Sequence, residues 1–559
     1  MIQIRSLCLV GALAISAFVA SAQQAAPDLI LFNGKIFTSD SAHPYVQALA
    51  IRGERIVATG DSAKIRALAG PQTKQIDLAG HTVIPGINDA HYHLAVTPAN
   101  EFYLRFKSPD PTLAEVGETI VAALPQTHEG TIIYGLIGPA AYPDLQLNRD
   151  FLDELVHDRP IILHTVSGHA VVLNSAALTK FGIPDGKTDP LGGRYERNSD
   201  GRLTGVLREY AALDLERKLT DLASESDAVK ELREKLSGFA KLGITSIQDM
   251  SNAIAPEHCL ALLDKVPSPI RVRVIRMPGS TPNGRDTREG LEVLHHRSGL
   301  VTVDGTKWML DGTPLEGTFA TRQAQAALFA AVRQAQTSGT VAAALDDAFA
   351  TLALTFPREQ IPAMLEESLR DSDQLMVHVS GFLSASAMID AMKSSGGKST
   401  WASKRVRFEH GDGLFPDLLP RVKELGIIVV QNPSHFAHNM KLARAQPLKS
   451  FLVAGIPLAL GSDGGGRINP YVDIMFASTH PDRPSEAITR EQAVIAYTLT
   501  SAYAEFTEKD KGSLEPGKLA DLAVLSQDIF SVPTAELPKT QSVLTLVGGK
   551  TVYDVGVVH

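Results

Sequence analysis

Val-Ile-Pro-Gly-Ile-Asn-Asp-Ala-His-Tyr-His, residues 83–93, is an apolar run that ends with His91 and His93 two positions apart. Side chains at positions i and i+2 of a β-strand leave the same face, so both imidazoles can point at one metal ion. So short a motif is equally compatible with two histidines on a polar surface strand. The choice between these interpretations depends on the rest of the chain.

Seven further short runs rich in β-branched residues follow in the central part of the chain. They cover residues 244–250, 270–277, 303–312, 375–381, 405–411, 427–433 and 458–464. Helical segments such as 225–241, 358–370 and 383–393 separate several of them, which is typical of βα units around a parallel sheet. Eight such runs predict an α/β fold with a (β/α)8 TIM-like barrel over residues 85–504.

The segments outside the eight runs predict two additions to this barrel. Residues 94–243 include a stretch far longer than a βα loop, which we expect to form an insertion over the barrel mouth. Both chain ends show short strands and turn signals, among them Asn33-Gly34, a strong hairpin signal. Because chain ends often lie close together, residues 27–84 and 505–559 are predicted to form one discontinuous β-sandwich domain.

The N-terminus has the pattern of a secretory signal peptide. An apolar run over residues 7–20 follows Arg5, and Ala-Ser-Ala at residues 20–22 supplies a small-x-small cleavage site. The run is too short for a permanent membrane span. We therefore expect residues 1–22 to be removed and the mature protein to be exported, periplasmic or secreted, without a membrane anchor.

Cysteine content and charge narrow the function classes. Of the two cysteines, Cys8 would leave with the signal peptide, so Cys259 has no partner for an internal disulfide. The formal net charge is −9 and no basic cluster is present, which argues against nucleic acid as a partner. A small-molecule substrate is favoured, and a homo-oligomer remains compatible with the sequence.

Conspicuous polar residues end five of the eight runs, where barrel enzymes carry their catalytic groups. They are His91, His93, Lys307, His378, His410 and Asp463. Taken singly, each histidine is as readily a hydrogen-bonded core residue and the lysine a solvated end. Taken together, four imidazoles, a carboxylate and a lysine predict a centre for divalent metal ions.

These residues and their surroundings resemble the amidohydrolase superfamily. The supporting strings are the His-x-His run, His410-Gly411, Gly461-Ser462-Asp463 and Gly-Ser-Leu-Glu-Pro-Gly-Lys-Leu-Ala-Asp-Leu at 512–522. Ser-Gly-His-Ala at 167–170, Thr-Gly-Val-Leu-Arg-Glu at 204–209 and Gly-Thr-Lys at 305–307 narrow the resemblance to family-3 amidohydrolases related to YtcJ and N-substituted formamide deformylase. The resemblance runs from about residue 28 to the C-terminus.

The resemblance implies a role for each ligand. His91 and His93 would hold one ion with Asp463, and His378 and His410 would hold a second. Lys307 would bridge the two ions if carbon dioxide has carboxylated its amine to a carbamate. A one-metal site formed by His91, His93, His378 and Asp463 is the alternative. Imidazole and carboxylate ligands suit Zn²⁺ or a similar ion.

The implied reaction is hydrolysis of a carbon–nitrogen bond outside peptides, in an amide, formamide or cyclic amide. The ion would activate water as hydroxide, and Asp463, the expected catalytic residue, would pass its proton to the leaving nitrogen. The same site could instead serve an ester, a lactone or an isomerisation, because the pocket and not the fold decides function. A non-catalytic exported binding protein is the third alternative.

Three further residues are candidates for substrate binding. His169 lies in the expected insertion, although a structural hydrogen bond is as good an interpretation. His435 follows the seventh run and can approach the reacting carbonyl, and Arg467 can pair with a substrate carboxylate. The chain departs from its relatives at Phe382, which stands where an acid usually follows the strand-five histidine, and a more apolar substrate is one consequence of this change.

Overall fold

The computed structural model describes residues 25–285, 299–313, 315, 330, 334, 348–370, 373–436, 446–464 and 468–559. The predicted signal peptide and Arg467 lie outside these residues.

Eight parallel strands form the central sheet, and we name them β1 to β8 in chain order. They are Ile87–Tyr92, Ile244–Ser251, Arg271–Arg276, Val301–Met309, Leu375–Val379, Arg407–His410, Ile428–Gln431 and Leu458–Leu460. Each strand pairs in parallel with the next. Beyond β8, the backbone N–H of Asp463 donates to the carbonyl of His91 at 2.8 Å, which brings the last strand back to the first. The predicted TIM-like barrel is confirmed as a nearly closed, eight-stranded parallel sheet.

Helices cover the outside of the barrel and connect its strands. They are Glu225–Ala240, Pro256–Leu263, Ile361–Arg370, Phe382–Ser395, Gly397–Lys404, Leu419–Glu424, Leu448–Ala454, Pro470–Thr479, Arg490–Tyr497 and Leu499–Tyr503. The first of them shows why the sequence forms a helix: the side chain of Ser224 caps it, and Ala228, Leu232 and Leu236 repeat every four residues. These three residues are buried in the core that contains Ile247 of β2. The three predicted helical segments are therefore helices.

Residues 83–93, which the sequence presents as one run, serve two different sheets. Thr82–Pro85 pairs with strands from the chain ends, and only Ile87–Tyr92 belongs to the barrel. Gly86 separates them, and a Cβ atom there would lie 2.1 Å from the hydroxyl of Thr245. The break therefore falls where the backbone passes too close to β2 for any side chain.

Strands from both ends of the chain build two sheets below the barrel. One sheet has the order Arg55–Gly60, Ala48–Arg52, Leu29–Phe32 and Lys74–Asp77. The other has the order Lys550–Asp554, Ser542–Val547, Leu522–Leu525, Thr82–Pro85, Lys35–Phe37 and Tyr45–Val46. Leu31 and Ile51 of the first sheet share one buried core with Val83 and Leu544 of the second. The two sheets therefore pack as a β-sandwich.

The prediction of a hairpin at Asn33-Gly34 is wrong. Leu29–Phe32 lies in one of the two terminal sheets, and Lys35–Phe37, which follows the turn, lies in the other. Asn33 has φ +60°, and a Cβ on Gly34 would lie 2.5 Å from the Leu78 side chain. Asn33 and Gly34 therefore connect a strand of one sheet to a strand of the other, and they do not join two neighbouring strands of the same sheet.

Residues between β1 and β2 form a sheet of their own at the barrel mouth. Its strands run in the order Gly193–Arg197, Leu203–Glu209, Ala170–Leu173, Ile161–Thr165, Ile132–Ile137 and Glu101–Tyr103. Its helices are Leu113–Ala123, Arg149–Leu155, Ser175–Lys180 and Tyr210–Thr220. We call residues 94–224 the insertion.

The remaining elements are short. They are helix Ser62–Arg66, strands Ser280–Thr281 and Gly284–Arg285, and the 3₁₀ segments Leu124–Gln126, Arg358–Gln360, Pro433–Phe436, Pro484–Glu486 and Thr534–Lys539. Among the described residues, none of the helices combines the length and the apolar character that a bilayer crossing requires.

Candidate metal centre

His91 and His93, at the end of β1, point to one spot together with Asp463, which follows β8. The Nε2 atoms of the two histidines are 3.2 Å apart. Oδ1 of Asp463 lies 3.3 Å from Nε2 of His91 and 3.0 Å from Nε2 of His93. Strand alternation brings the two imidazoles to one face, as the sequence predicts, and barrel closure brings the carboxylate to them.

The other predicted ligands surround this spot. Nζ of Lys307, on β4, is 3.0 Å from Nε2 of His91. The ring centroid of His410 lies 5.0 Å from that of His91 and 4.5 Å from that of His378. Nε2 of His410 is 4.0 Å from Oδ2 of Asp463. The structure therefore brings all six predicted ligands together at the C-terminal ends of the barrel strands.

Each histidine is also held at a second ring nitrogen. Nδ1 of His91 lies 2.7 Å from the Glu409 carboxylate. Nδ1 of His93 lies 2.9 Å from both the Met250 carbonyl oxygen and Asn252 Oδ1. Such partners orient a metal-binding imidazole and set which nitrogen carries the proton.

The two strand-end histidines of β5 and β6 follow the same scheme. Nδ1 of His410 lies 2.8 Å from Oδ1 of Asn432, whose amide group donates to the Gly461 carbonyl. For His378 the held atom is Nε2, which is 3.2 Å from the Ser380 hydroxyl and 3.6 Å from Asp311 Oδ1. This arrangement leaves Nδ1 of His378 as its nitrogen for a metal.

The proton positions implied by these contacts test whether a cation fits. A carbonyl oxygen and a carboxylate only accept, so His93 and His91 donate from Nδ1, and in their neutral, metal-binding form the lone pair of each ring is on Nε2. In that form two lone pairs 3.2 Å apart, with the Asp463 carboxylate beside them, favour a positive charge between them. A divalent ion with imidazole and carboxylate ligands meets this need, and the donor set suits zinc.

Glu409 is the partner of His91 and is itself held by Arg407. Both side chains are fully buried. Arg407 donates from Nε to Glu409 Oε1 at 2.8 Å and from Nη2 to Oε2 at 3.1 Å. Burial acts to raise the pKa of Glu409, but the charge of Arg407 and then that of His91 outweigh it and lower this pKa to about 2. Glu409 is therefore a permanently ionised acceptor for His91.

Lys307 is buried and Asp463 is partly buried, and the pKa values of both groups are lowered, for different reasons. Burial lowers the pKa of the Lys307 amine to about 8, because the charged form loses its hydration. Burial acts to raise the pKa of Asp463, but the His91 charge and hydrogen bonds from its neighbours hold it well below its usual range. The lysine is thus easily made neutral, and the aspartate stays anionic.

The backbone that carries Asp463 is strained and tightly fitted to β1. Asp463 has φ +58° and His410 has φ +72°, and a non-glycine residue in a sparsely populated region costs about 1–3 kcal/mol. Asp89 holds this segment, since its carboxylate accepts from the N–H groups of His91 and Ser462. A Cβ on Gly461 would lie 2.4 Å from the His91 backbone nitrogen. The position of Asp463 is therefore fixed by β1 itself.

A cavity of about 340 Å³ opens above the ligands and is shared by the barrel and the insertion. Lys307, His378, His410 and Asp463 line its floor, and the insertion adds mainly Tyr134, Leu136, His164, His169, Glu209, Leu213 and Glu216. The ring centroid of His169 is 4.6 Å from that of His378. This volume is in the range of small-molecule sites.

The other predicted substrate residues have different outcomes. His435, in the 3₁₀ segment Pro433–Phe436, places Nε2 3.1 Å from Oδ2 of Asp463. Arg467 falls outside the described residues. Phe382 begins a helix and its ring stacks on Phe415 at 5.9 Å, away from the described lining of the cavity. The carboxylate near His378 comes instead from Asp311, which also accepts from the Gly381 N–H at 2.7 Å.

Sequence reasoning missed the residues that hold the histidines: Glu409, Arg407, Asn252 and Asn432. A signal for Glu409 exists in the sequence, since Arg407 and Glu409 alternate on β6 and an ion pair facing a barrel interior needs an explanation. Asn252 and Asn432 lie just beyond the ends of β2 and β7, where loop residues give no comparable signal.

Comparisons with known proteins identify the family of this chain. A family model described as the Amidohydrolase family matches residues 74–553. N-substituted formamide deformylase of Arthrobacter pascens is 27% identical over 94% of this chain and 98% of its own length. The putative amidohydrolase YtcJ of Bacillus subtilis is 25% identical over 94% of this chain and 99% of its own.

A solved structure gives the same result for the fold. An uncharacterised metal-dependent hydrolase from Pyrococcus furiosus superposes with a TM-score of 0.59 at 22% identity, over 90% of this chain and 100% of the other. The family match covers well over half of the chain. The chain therefore belongs to the amidohydrolase family and is a metal-dependent hydrolase of carbon–nitrogen bonds other than peptide bonds.

Proposed function

We propose that this amidohydrolase cleaves the carbon–nitrogen bond of a small amide, formamide or cyclic amide. One observation carries the proposal. The Nε2 atoms of His91 and His93 converge beside the Asp463 carboxylate, and acceptors at Nδ1 hold both imidazoles in that orientation. The name of the Arthrobacter pascens relative, an N-substituted formamide deformylase, supports this substrate class.

For the metal content we propose two divalent ions, with zinc as the first candidate. His91, His93 and Asp463 would hold one ion, and His378 and His410 the other. His91, His410 and Asp463 offer ligand atoms that all lie within 4.8 Å of one another. A one-metal centre of His91, His93, His378 and Asp463 is the alternative.

We also propose that Lys307 is carboxylated and bridges the two ions. Its side chain is buried, and Nζ lies 3.0 Å from the metal-facing nitrogen of His91. A protonated amine could not share that space with a cation. With the pKa of Lys307 near 8, about one amine in ten is neutral at pH 7, and the neutral form is the one that reacts with carbon dioxide.

The chemistry combines the bound ion with two residues of the chain. When bound, a divalent ion supplies Lewis acidity and makes water a nucleophile near neutral pH. Asp463 is ionised and accepts the proton that water loses, then returns it to the leaving nitrogen. His435 lies 3.1 Å from Asp463 Oδ2 and holds this carboxylate in place. We propose that its imidazole also approaches the reacting carbonyl.

Substrate choice is assigned to the insertion and the loops around it. His169 faces the cavity beside His378, and we propose that it contacts the substrate. Arg467, four residues beyond Asp463, is proposed as the partner of a substrate carboxylate. The lining also includes the apolar side chains of Leu136, Leu213 and Met309, which would contact a substituent of low polarity.

The test is metal analysis of the purified protein followed by an activity panel. N-acyl amino acids, N-substituted formamides, cyclic ureas and esters are assayed with and without a chelator. We expect one to two ions per chain and turnover of at least one amide class that disappears with the metal and returns with zinc. Turnover that survives complete metal removal, or turnover of esters alone, contradicts the proposal.

We further propose that residues 1–22 direct export and that the protein acts in the periplasm or outside the cell. The apolar run and the Ala-Ser-Ala site carry this proposal. Intact-mass analysis of the protein from extracytoplasmic fractions should show a chain beginning at residue 23. A full-length chain confined to the cytoplasm contradicts it.

A further inference from the structure

The insertion reaches the proposed active site through a pair of its own residues, His169 and Glu209. Nδ1 of His169 lies 2.7 Å from Oε2 of Glu209. The backbone N–H of Glu209 donates to the His169 carbonyl at 2.8 Å, so the two residues are joined twice. Both line the cavity, and the His169 ring is next to that of His378. Glu209 is 3% exposed.

Glu209 occupies a strained and closely surrounded position. It is the last residue of the strand Leu203–Glu209 and precedes helix Tyr210–Thr220, and its φ is +50°. A non-glycine residue keeps such a conformation only where its surroundings dictate it, and such residues cluster at functional sites. The chain thus accepts an unfavourable backbone in order to place this carboxylate.

A glycine of the barrel leaves space for the Glu209 carboxylate. Gly312, in the loop after β4, is so close that a Cβ on it would lie 2.2 Å from Glu209 Oε1. The preceding residue, Asp311, lies 3.6 Å from Nε2 of His378. Glu209 is therefore enclosed between the insertion and the barrel loop beside a proposed metal ligand.

We propose that Glu209 is a positioning residue that orients the His169 imidazole toward the substrate. Its carboxylate fixes Nδ1 of a ring that lines the cavity. The role of His169 as a substrate contact rests on the proposed function. The positioning role of Glu209 is new and makes the insertion a working part of the active site.

The test compares Glu209→Ala, Glu209→Gln and His169→Ala with the double variant that carries both alanines. We expect each alanine variant to lose about 10- to 100-fold in kcat/KM, because a misplaced active-site group can cost about 100-fold. The double variant should be no worse than the His169 variant, because Glu209 acts only through that ring. Glu209→Gln should keep part of the activity, since its amide oxygen still accepts from Nδ1.

Gly312→Ala supplies an independent variant that keeps every polar group. The added methyl must displace the Glu209 carboxylate, so the same fall in kcat/KM is expected with metal content unchanged. Glu196→Gln is the matched control, because Glu196 pairs with Arg208 at 2.8 Å in the same sheet but lies outside the described cavity lining. It should retain wild-type kinetics.

Three outcomes would overturn the positioning role. They are wild-type kinetics in Glu209→Ala, multiplicative losses in the double variant, and loss of metal or of thermal stability that accounts for the fall in Glu209→Gln. Failure of the proposed function itself is distinguishable, because it would leave the wild-type enzyme inactive on every amide in the panel.

Discussion

Replacement of Glu409 by glutamine tests whether the buried pair Arg407–Glu409 sets the properties of His91. The substitution keeps the shape of the side chain but leaves one acceptor oxygen in place of two. If that oxygen still accepts from His91, the NH₂ group of the new amide faces the Nε–H group of Arg407. Two hydrogen-bond donors then oppose each other. A buried cation then loses its counter-charge.

The magnitude follows from the ionisation of Glu409. Its pKa falls from the usual 4.5 to about 2, which at about 1.4 kcal/mol per unit corresponds to about 3 kcal/mol of stability. Because the folded-state pKa is the lower one, this stability is fully present above pH 4.5 and is lost as the pH falls toward 2. Glu409→Gln should therefore unfold about 3 kcal/mol more easily at pH 7, with less difference from wild type at pH 3.

The affinity for metal is measured separately from the stability of the fold. Loss of a charged acceptor behind a metal-binding histidine typically costs about 10- to 100-fold in metal affinity. Competition with a chromophoric chelator measures this affinity, and urea unfolding of the metal-free protein measures stability. The double variant Arg407→Met/Glu409→Gln removes both charges, so it should regain stability but not zinc affinity. Wild-type zinc affinity in Glu409→Gln would refute the reasoning.

Three further changes test the centre. Asp463→Asn should lower kcat/KM by about 10²- to 10⁴-fold while the fold persists, because it removes the proton acceptor; near wild-type turnover excludes that role. Lys307→Ala should bind one ion fewer per chain by elemental analysis, with partial recovery of activity in acetate, and a variant that keeps two ions refutes the bridge. Gly461→Ala puts a methyl 2.4 Å from the His91 backbone nitrogen, so thermal unfolding should show a loss of about 1–3 kcal/mol; an unchanged melting temperature would show that β8 moves away freely.

The barrel and its ligands could be predicted because strand alternation and the position of strand ends are local properties. His91 and His93 share a face on any strand, and a polar residue at the end of an apolar run is visible without tertiary information. The features that could not be predicted from the sequence also have physical causes. Residues 83–93 give one continuous signal although Gly86 divides them between two sheets, since the close approach of Thr245 is a tertiary contact.

The partners of the histidines escaped prediction for a related reason. Glu409 precedes His410 on β6, so strand parity places the two side chains on opposite faces and does not indicate that both serve one site. It reaches His91 only because the barrel closes and brings β6 opposite β1. Likewise, Asn33-Gly34 has the composition of a hairpin, but the sheets that its flanking strands join are chosen by burial elsewhere in the chain.

The approach of Asp463 to His91 has a consequence for the order of events during synthesis. The proposed ligands are spread from residue 91 to residue 463, so a nascent chain that has not yet produced β8 displays His91 and His93 without their carboxylate. Domains fold as their residues emerge, but this centre needs the first and last barrel strands side by side. The proposed centre would therefore bind its ion tightly only in the completed chain, so that a bound ion would indicate a closed barrel.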